Sequence, residues 1–176
     1  MEPLPWAYER LLHNWEGFEQ LVFARTAIQP YEGTCDLWAL PPEESGREGW
    51  DLSVLATTKR ELFGHPTCLS GNDALTLMPR VVPYTVPCTT LDALLRKHDI
   101  ATLDLLQIDA QGGDFDVIRS LDIERIQPRW INFEHTLLGA STEECMAYLS
   151  HKGYNLSPGL DETNDLLATR LNETSR

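Results

Sequence analysis

The stretch LLQIDAQGGDFDVI, from Leu105 to Ile118, restricts the possible folds more than any other part of the chain. It starts as an apolar run, breaks at Asp109, passes two glycines and resumes as an amphipathic segment. That order predicts a strand buried on both faces (LDLLQID), a tight turn and a helix over about residues 113–121. Strand and helix patterns alternate from residue 81 to residue 152, which predicts parallel βαβ units and an α/β fold.

The front of the chain predicts a helix and two strands. Tyr8, Leu11, Leu12 and Trp15 have the spacing of one helical face, and Gly17 is the expected stop. The expected strands cover residues 21–28 and 34–40. In the second of these, alternate residues from Cys35 are expected on one buried face.

The second half of the chain carries clearer signals. Thr89 or Thr90 is the expected N-cap of a helix, and Ser141 with Glu144 has capping-box spacing before another helix, which Gly153 ends. The remaining expected strands are residues 81–87, 129–135, 154–158 and 165–170, the last two antiparallel. We expect residues 103–109, 129–134, 154–157 and 165–170 to share one sheet, with the first two as parallel neighbours.

A chain of 176 residues is long enough for a single domain, which we place at residues 1–170, with residues 171–176 as a tail. Residues 41–80 are rich in loop-forming residues and poor in periodic apolar ones. We expect them to form an excursion on one face of the domain, without a core of its own.

The composition disfavours several classes of partner. Lys and Arg total 14 against 27 Asp and Glu, a net charge of −13, which argues against nucleic acid and against an anionic membrane surface. The chain has no membrane-length apolar run and no secretory signal pattern. Its four cysteines lack metal-finger spacing, which indicates reduced thiols and a cytoplasmic location.

Polar residues end two neighbouring strands of the expected parallel sheet. Asp109 follows the first strand, and Glu134 and His135 end the next. Ligands of such sheets bind at the carboxyl ends of the strands, so these three residues are the candidate catalytic set, as base and orienter. A metal site on the same three residues is the weaker alternative.

Each of these acids also has a purely structural interpretation. Asp109 could serve as a helix N-cap, and Glu134 could accept hydrogen bonds from the backbone of a neighbouring loop. Asp114 and Asp116 are expected to be solvated acids in the first helical turn. Gly112 and Gly113 are expected to permit the tight strand-to-helix turn under either interpretation.

The chain contains, in this order, TTLDALL, LDLLQIDAQGGDFDVIRSL, RWINFEHT and a later Gly-Tyr. This order of motifs resembles the pattern of FkbM-type methyltransferases. The opening EPLPWAYERLLHN and LVFARTAI resemble the segments that precede this pattern in the family. The resemblance implies a partial Rossmann-like class I methyltransferase fold, with a mostly parallel sheet. It also implies transfer of a methyl group from S-adenosylmethionine (SAM), most simply to an oxygen of a small or sugar-like molecule.

The same resemblance assigns the cofactor-binding residues. Glu2 corresponds to the acid that binds the cofactor ribose, and Ala27, Asp109 and Gly112 are the other residues expected to bind the cofactor. The chain departs from the family pattern in two ways. Gln111 replaces a glutamate, and the sequence contains no glycine-rich G-x-G-x-x-G turn.

The missing turn leaves a second function open, namely a non-catalytic domain of the same fold that binds a partner chain. By the resemblance, the first two strands of the sheet would lie before Met1. The strands at 21–28 and 103–109 would then lack neighbours and expose apolar edges. A strand from residues 34–40 or 81–87, or from a partner chain, would have to complete the sheet.

The missing turn predicts weak cofactor binding. One charge-assisted contact from Glu2 contributes about 1.5–3 kcal/mol, whereas a millimolar dissociation constant needs about 4 kcal/mol. We therefore expect calorimetric titration of the 176 residues to give a dissociation constant for SAM of about 1 mM or weaker. A micromolar constant would contradict this expectation and show that the chain binds the cofactor by other means.

Overall fold

The computed structural model describes residues 1–45, 52–63, 65 and 75–171. The chain divides into two compact units, which meet in sequence between Thr89 and Thr90. Each unit has its own sheet. The single domain expected over residues 1–170 stays a prediction.

The helices and strands follow one another as α1 (Pro5–Asn14), β1 (Ala27–Ile28), β2 (Gly33–Ala39), α2 (Pro42–Ser45), β3 (Val82–Thr89), α3 (Leu91–Lys97), β4 (Leu105–Ile108), α4 (Asp114–Arg119), α5 (Ile123–Ile126), β5 (Trp130–Glu134), α6 (Thr142–His151), β6 (Tyr154–Pro158) and β7 (Asp165–Arg170). Short 3₁₀ helices lie at Leu52–Leu55, Arg60–Leu62, Met78–Arg80 and Thr136–Ser141. No helix in the described ranges is both long and apolar enough to span a bilayer.

The sheet of the first unit has the strand order β1-β3-β2. Strand β3 pairs with β1 in parallel and with β2 in antiparallel fashion. Cys35, Leu37 and Ala39 of β2 are buried together, which confirms the predicted face. The neighbour of β1 is therefore β3, the strand predicted near residues 81–87. This strand was one of the candidates for pairing with the strand predicted at 21–28.

The predicted apolar face of α1 is wrong in part. Leu12 and Trp15 are 41% and 45% exposed, whereas Leu4 and Ala7 are buried. The helix starts with Pro5 at its first position, directly after the buried Leu4. Burial at the start of the helix therefore determines which side faces the core.

The strand predicted over residues 21–28 is reduced to Ala27 and Ile28. The carbonyl of Ala24 accepts the backbone N–H of Glu2 at 3.0 Å. The carbonyl of Phe23 accepts the Tyr8 hydroxyl at 3.4 Å. Both carbonyls bind the amino-terminal segment, which competes with a longer strand.

Part of the predicted excursion at residues 41–80 lies outside the described residues. The described part contains three of the 3₁₀ helices and contributes to a small cluster around the buried Leu40, Phe63 and Val81. Trp38 of β2 and Thr57 also exchange backbone hydrogen bonds of 2.8 and 3.1 Å. The described apolar residues of this segment thus pack with Leu40, Val81 and Trp38, which lie outside it, and the expectation that it has no core of its own stays a prediction.

The sheet of the second unit has the order β4-β5-β7-β6. Strands β4 and β5 are parallel neighbours, while β7 runs antiparallel to both β5 and β6. The predicted membership of this sheet and the predicted antiparallel carboxy-terminal strands are confirmed. The α/β class is also confirmed, but the mostly parallel Rossmann-like sheet is not. Antiparallel pairing predominates, because β7 follows β6 after a short turn and inserts beside β5.

Strand β4 lies at the edge of its sheet. Within the described residues it pairs with β5 alone, as expected for a strand that lacks a neighbour. Leu106 and Ile108 are buried, whereas Leu105 and Gln107 are exposed. The prediction of burial on both faces is therefore wrong for β4. A partner chain that completes this edge stays a prediction.

Two helices of this unit differ in how their first turn is capped. Thr90 precedes α3, and its hydroxyl oxygen accepts the Ala93 N–H at 3.0 Å, as predicted. Ser141 occupies the corresponding position before α6 but makes no capping hydrogen bond, so the predicted capping box is wrong. Gly153 follows the end of α6 with φ +83°, in agreement with its predicted role.

This difference predicts unequal effects of two matched substitutions. Thr90→Ala removes a capping hydrogen bond and should lower the free energy of unfolding by about 0.5–2 kcal/mol. Ser141→Ala removes a hydroxyl that caps nothing and should change it by less than about 0.5 kcal/mol. Urea denaturation followed by circular dichroism measures both. Equal losses in the two variants would contradict the assignment of the caps.

Candidate functional site

The carboxyl ends of β4 and β5 bring the predicted acids to one edge of the sheet. Ile108 is paired with Phe133, and Asp109 and Glu134 follow these two residues directly. This placement confirms that both acids lie at the same edge. Strand β7 adds Asp165, which is paired with Glu134 across the antiparallel ladder. Sequence reasoning missed this third acid.

The turn after β4 holds Asp109 outside the helix. Gln111 and Gly112 have φ values of +47° and +86°, so the backbone turns through the left-handed region there, where glycine is favoured. The side-chain amide of Gln111 donates from Nε2 to Asp109 Oδ1 at 2.8 Å. Gly113, not Asp109, is the N-cap residue of α4, so the N-cap interpretation of Asp109 is wrong. Asp109 is exposed at the strand end.

Asp114 is fully buried, although the sequence indicated a solvated acid. Its Oδ2 accepts the N–H of Ala110 at 3.3 Å, and its Oδ1 accepts the N–H of Glu134 at 3.2 Å. Burial raises the pKa of Asp114 to about 7, and the charges of Asp109 and Glu134 add to this, while the two N–H donors oppose it. The only sequence signal for this role was the acid that the family pattern carries at this position.

Glu134 has one engaged and one unengaged carboxylate oxygen. Oε1 accepts the Thr136 hydroxyl at 2.8 Å. Oε2 is buried and has no hydrogen-bond partner among the described residues. Burial raises the pKa of Glu134, and so do the charges of Asp109 and Asp165. The side chain is thus oriented by a hydroxyl rather than by loop amides, with a proton affinity above the ordinary value.

His135 is held by its backbone. Its N–H donates to the Asn164 carbonyl at 2.9 Å, and its own carbonyl accepts the Thr142 hydroxyl at 3.2 Å. The imidazole makes no hydrogen bond to Glu134 within the part of the chain that the structure describes. Its positive form lowers the pKa of Glu134 through space. A role as orienter of Glu134 stays a prediction.

The buried side-chain amide of Asn132 hydrogen-bonds to the third acid, Asp165. Asn132 is fully buried in β5, and its Nδ2 donates to Asp165 Oδ2 at 2.6 Å. Its Oδ1 accepts the N–H of Leu160 at 3.1 Å. A Cβ atom on Gly159 would lie 2.5 Å from Asn132 Oδ1, so only glycine fits there. A polar residue inside the apolar strand WINFE was the signal that sequence reasoning left unused.

The other predicted cofactor residues belong to the first unit. Glu2 Oε1 accepts the N–H of Leu4 at 2.8 Å, next to the start of α1. Ala27 is buried in β1, in register with Cys88 of β3. The cofactor roles of Glu2, Ala27 and Gly112 stay predictions.

The metal alternative lacks structural support. Among residues 1–45, 52–63, 65 and 75–171, no three His, Cys, Asp or Glu side chains are grouped so that they could hold a metal ion. Asp109, Glu134 and His135 are all described and do not form such a group.

The environment of Asp114 predicts a pH dependence of stability. A raised carboxyl pKa means that the folded chain binds the proton more tightly than the unfolded chain between about pH 3.8 and about 7. The stability contributed by Asp114 therefore falls as the pH rises through this window. Relative to Asp114→Asn, the wild type should lose unfolding free energy from pH 5 to pH 8 in urea titrations. Parallel pH profiles of the two proteins would contradict the raised pKa.

A family match extends over most of the chain. The chain matches the Methyltransferase FkbM domain over residues 2–156. No curated protein and no solved structure matches it. The matched region includes both strand ends and all the acids described above except Asp165. The chain belongs to the FkbM methyltransferase family.

Proposed function

We propose that the chain transfers a methyl group from SAM to a hydroxyl oxygen of a small, sugar-like molecule, at the carboxyl ends of β4 and β5. The observation that carries this proposal is the unengaged carboxylate oxygen of Glu134. A buried oxygen without a hydrogen-bond donor, on an acid with a raised pKa, is suited to accept a proton from a bound hydroxyl.

The residues present fit such a cofactor in charge and in polarity. Bound SAM supplies an electrophilic methyl group on a positively charged sulfur. Asp109 lies exposed at the strand end, where its carboxylate favours a nearby positive charge or binds a second hydroxyl. Gln111 donates to Asp109 and fixes its orientation. The roles proposed for Glu2 on the ribose, and for Ala27 and Gly112 beside the cofactor, rest on the family pattern.

The chemistry asked of the chain is limited. Glu134 Oε2 would take the proton of the acceptor hydroxyl and so leave its oxygen as the nucleophile. Bound SAM would supply the methyl group as an electrophile and a neutral thioether as the leaving group, so charge and atoms would balance. Most of the acceleration in such a reaction comes from alignment of the two reactants, which rigid strand ends can provide.

A non-catalytic domain of the same fold is the second candidate. The observation that favours it is the edge of β4, where Leu105 is 49% exposed and the strand has one neighbour among the described residues. Such an edge can accept a strand from a partner chain. The sequence also lacks the glycine-rich turn that SAM enzymes of this kind place against their cofactor. An assay at millimolar SAM separates the two candidates.

The location proposed is the cytoplasm. Cys35, Cys88 and Cys145 are free and buried, as expected of thiols in a reducing compartment. Cys68 lies outside the described residues.

Replacement of Glu134 tests the proposed base. Glu134→Gln keeps the size of the side chain but cannot accept the proton, so kcat should fall by about 10²–10⁴-fold. The matched control is Glu143→Gln, an exposed acid in the first turn of α6, which should keep kcat. The assay follows transfer of labelled methyl from millimolar SAM to a panel of monosaccharides and polyols. Thermal melting of both variants should stay close to that of the wild type.

Two results would count against the proposal. A Glu134→Gln chain with wild-type kcat would exclude Glu134 as the base. A correctly folded wild type that transfers no methyl group to any member of the panel would favour the non-catalytic candidate.

A further inference from the structure

Asp114 contacts both of the strand ends that carry the proposed functional acids. Its Oδ2 accepts the N–H of Ala110, the residue directly after Asp109. Its Oδ1 accepts the N–H of Glu134 itself. One buried carboxylate therefore bridges two backbone positions that are 24 residues apart in sequence, one in the turn after β4 and one at the last residue of the adjacent β5.

These contacts differ from ordinary capping. Asp114 is the first residue of α4, and the N-cap position belongs to Gly113, whose residue type has no side chain to cap with. The two N–H groups bound by the carboxylate lie outside the helix, at the ends of β4 and β5. An acid in the first turn need not be fully buried to interact with the helix dipole. Asp116 of the same turn is half-buried and pairs with Arg119 at 2.7 Å. The two backbone N–H groups at the strand ends, which its carboxylate accepts, explain why Asp114 is fully buried.

We infer that Asp114 is a positioning residue that fixes the separation of Asp109 and Glu134 by accepting one backbone N–H from each strand end, an inference that rests on the proposed function. A carboxylate is needed because both partners are donors and two acceptor oxygens must face them. An asparagine has one acceptor oxygen and presents N–H groups at the other site, so it can keep only one of the two bonds.

Protonation of Asp114 has the same effect as that substitution in a milder form. The titratable groups that face it are Asp109 at the end of β4, Glu134 at the end of β5 and Cys145 on α6. A protonated carboxyl has one oxygen that donates, which weakens one of the two bridges. Because burial raises the pKa of Asp114 to about 7, the bridge should change within an accessible pH range.

The test is nuclear magnetic resonance of the full chain labelled with ¹⁵N, in the wild type, Asp114→Asn and Asp116→Asn. In the wild type, the amide signals of Ala110 and Glu134 should move together with a midpoint near pH 7. In Asp114→Asn, one of the two signals should lose its hydrogen-bonded shift and neither should titrate with that midpoint. Asp116→Asn, an acid of the same helical turn, should behave as the wild type.

Kinetics supply the second readout. Asp114→Asn should lower kcat by about 10–100-fold, because small displacements of reacting groups are costly, and leave KM for SAM within a few-fold. Asp116→Asn should keep both constants. If Asp114→Asn fails to fold, hydrogen exchange of the wild type decides, since the Ala110 and Glu134 amides should both be protected and rapid exchange of either one would overturn the bridge.

The outcomes separate this inference from the proposed function. Amide signals of Ala110 and Glu134 that are the same in Asp114→Asn as in the wild type would overturn the bridge even in an active enzyme. The expected signals in a wild type that transfers no methyl group would overturn the proposed function and the positioning role together, while the bridge itself would stand.

Discussion

One buried acid, Asp114, joins the ends of the two parallel strands of the second unit by accepting two backbone N–H groups. Asp114 is fully buried, and its oxygens bind the residues that end β4 and β5. A buried acid is costly unless donors surround it, so the turn after β4 and the end of β5 must both be in place before Asp114 can be accommodated. The left-handed backbone at Gln111 and Gly112 brings the chain around so that α4 starts with this acid directly beneath the strand ends.

The chemistry of the site follows from acids held close together in a partly buried place. Asp109, Glu134 and Asp165 lie at one edge of the sheet, and the charges of the first and last raise the pKa of Glu134. Asn132 holds Asp165 from the buried side of β5, and Thr136 holds one oxygen of Glu134. What remains is an oxygen with raised proton affinity and no donor in the described part of the chain, which is what a base for a hydroxyl requires.

Sequence reasoning succeeded where local pattern and burial agree. The strands after residue 81 and the Thr90 cap were predictable, because apolar alternation, turn residues and the cap all indicate the same elements. Asp109 and Glu134 were predictable as neighbours, since parallel strands end at the same edge. The burial of Asp114 was not predictable, because an acid in a first helical turn is normally solvated and its donors come from residues distant in sequence. The length of β1, the exposed face of α1 and the open face of β4 were missed for a related reason, because tertiary contacts decide them.

The most direct test of the account is titration of the ¹⁵N-labelled chain with SAM, followed by amide chemical shifts. The account predicts that the largest changes fall at residues 109–113 and 134–136, around the carboxyl ends of β4 and β5, even if binding is as weak as millimolar. Changes confined to other parts of the chain, or none at millimolar SAM, would contradict the claim that these strand ends form a methyl-transfer site.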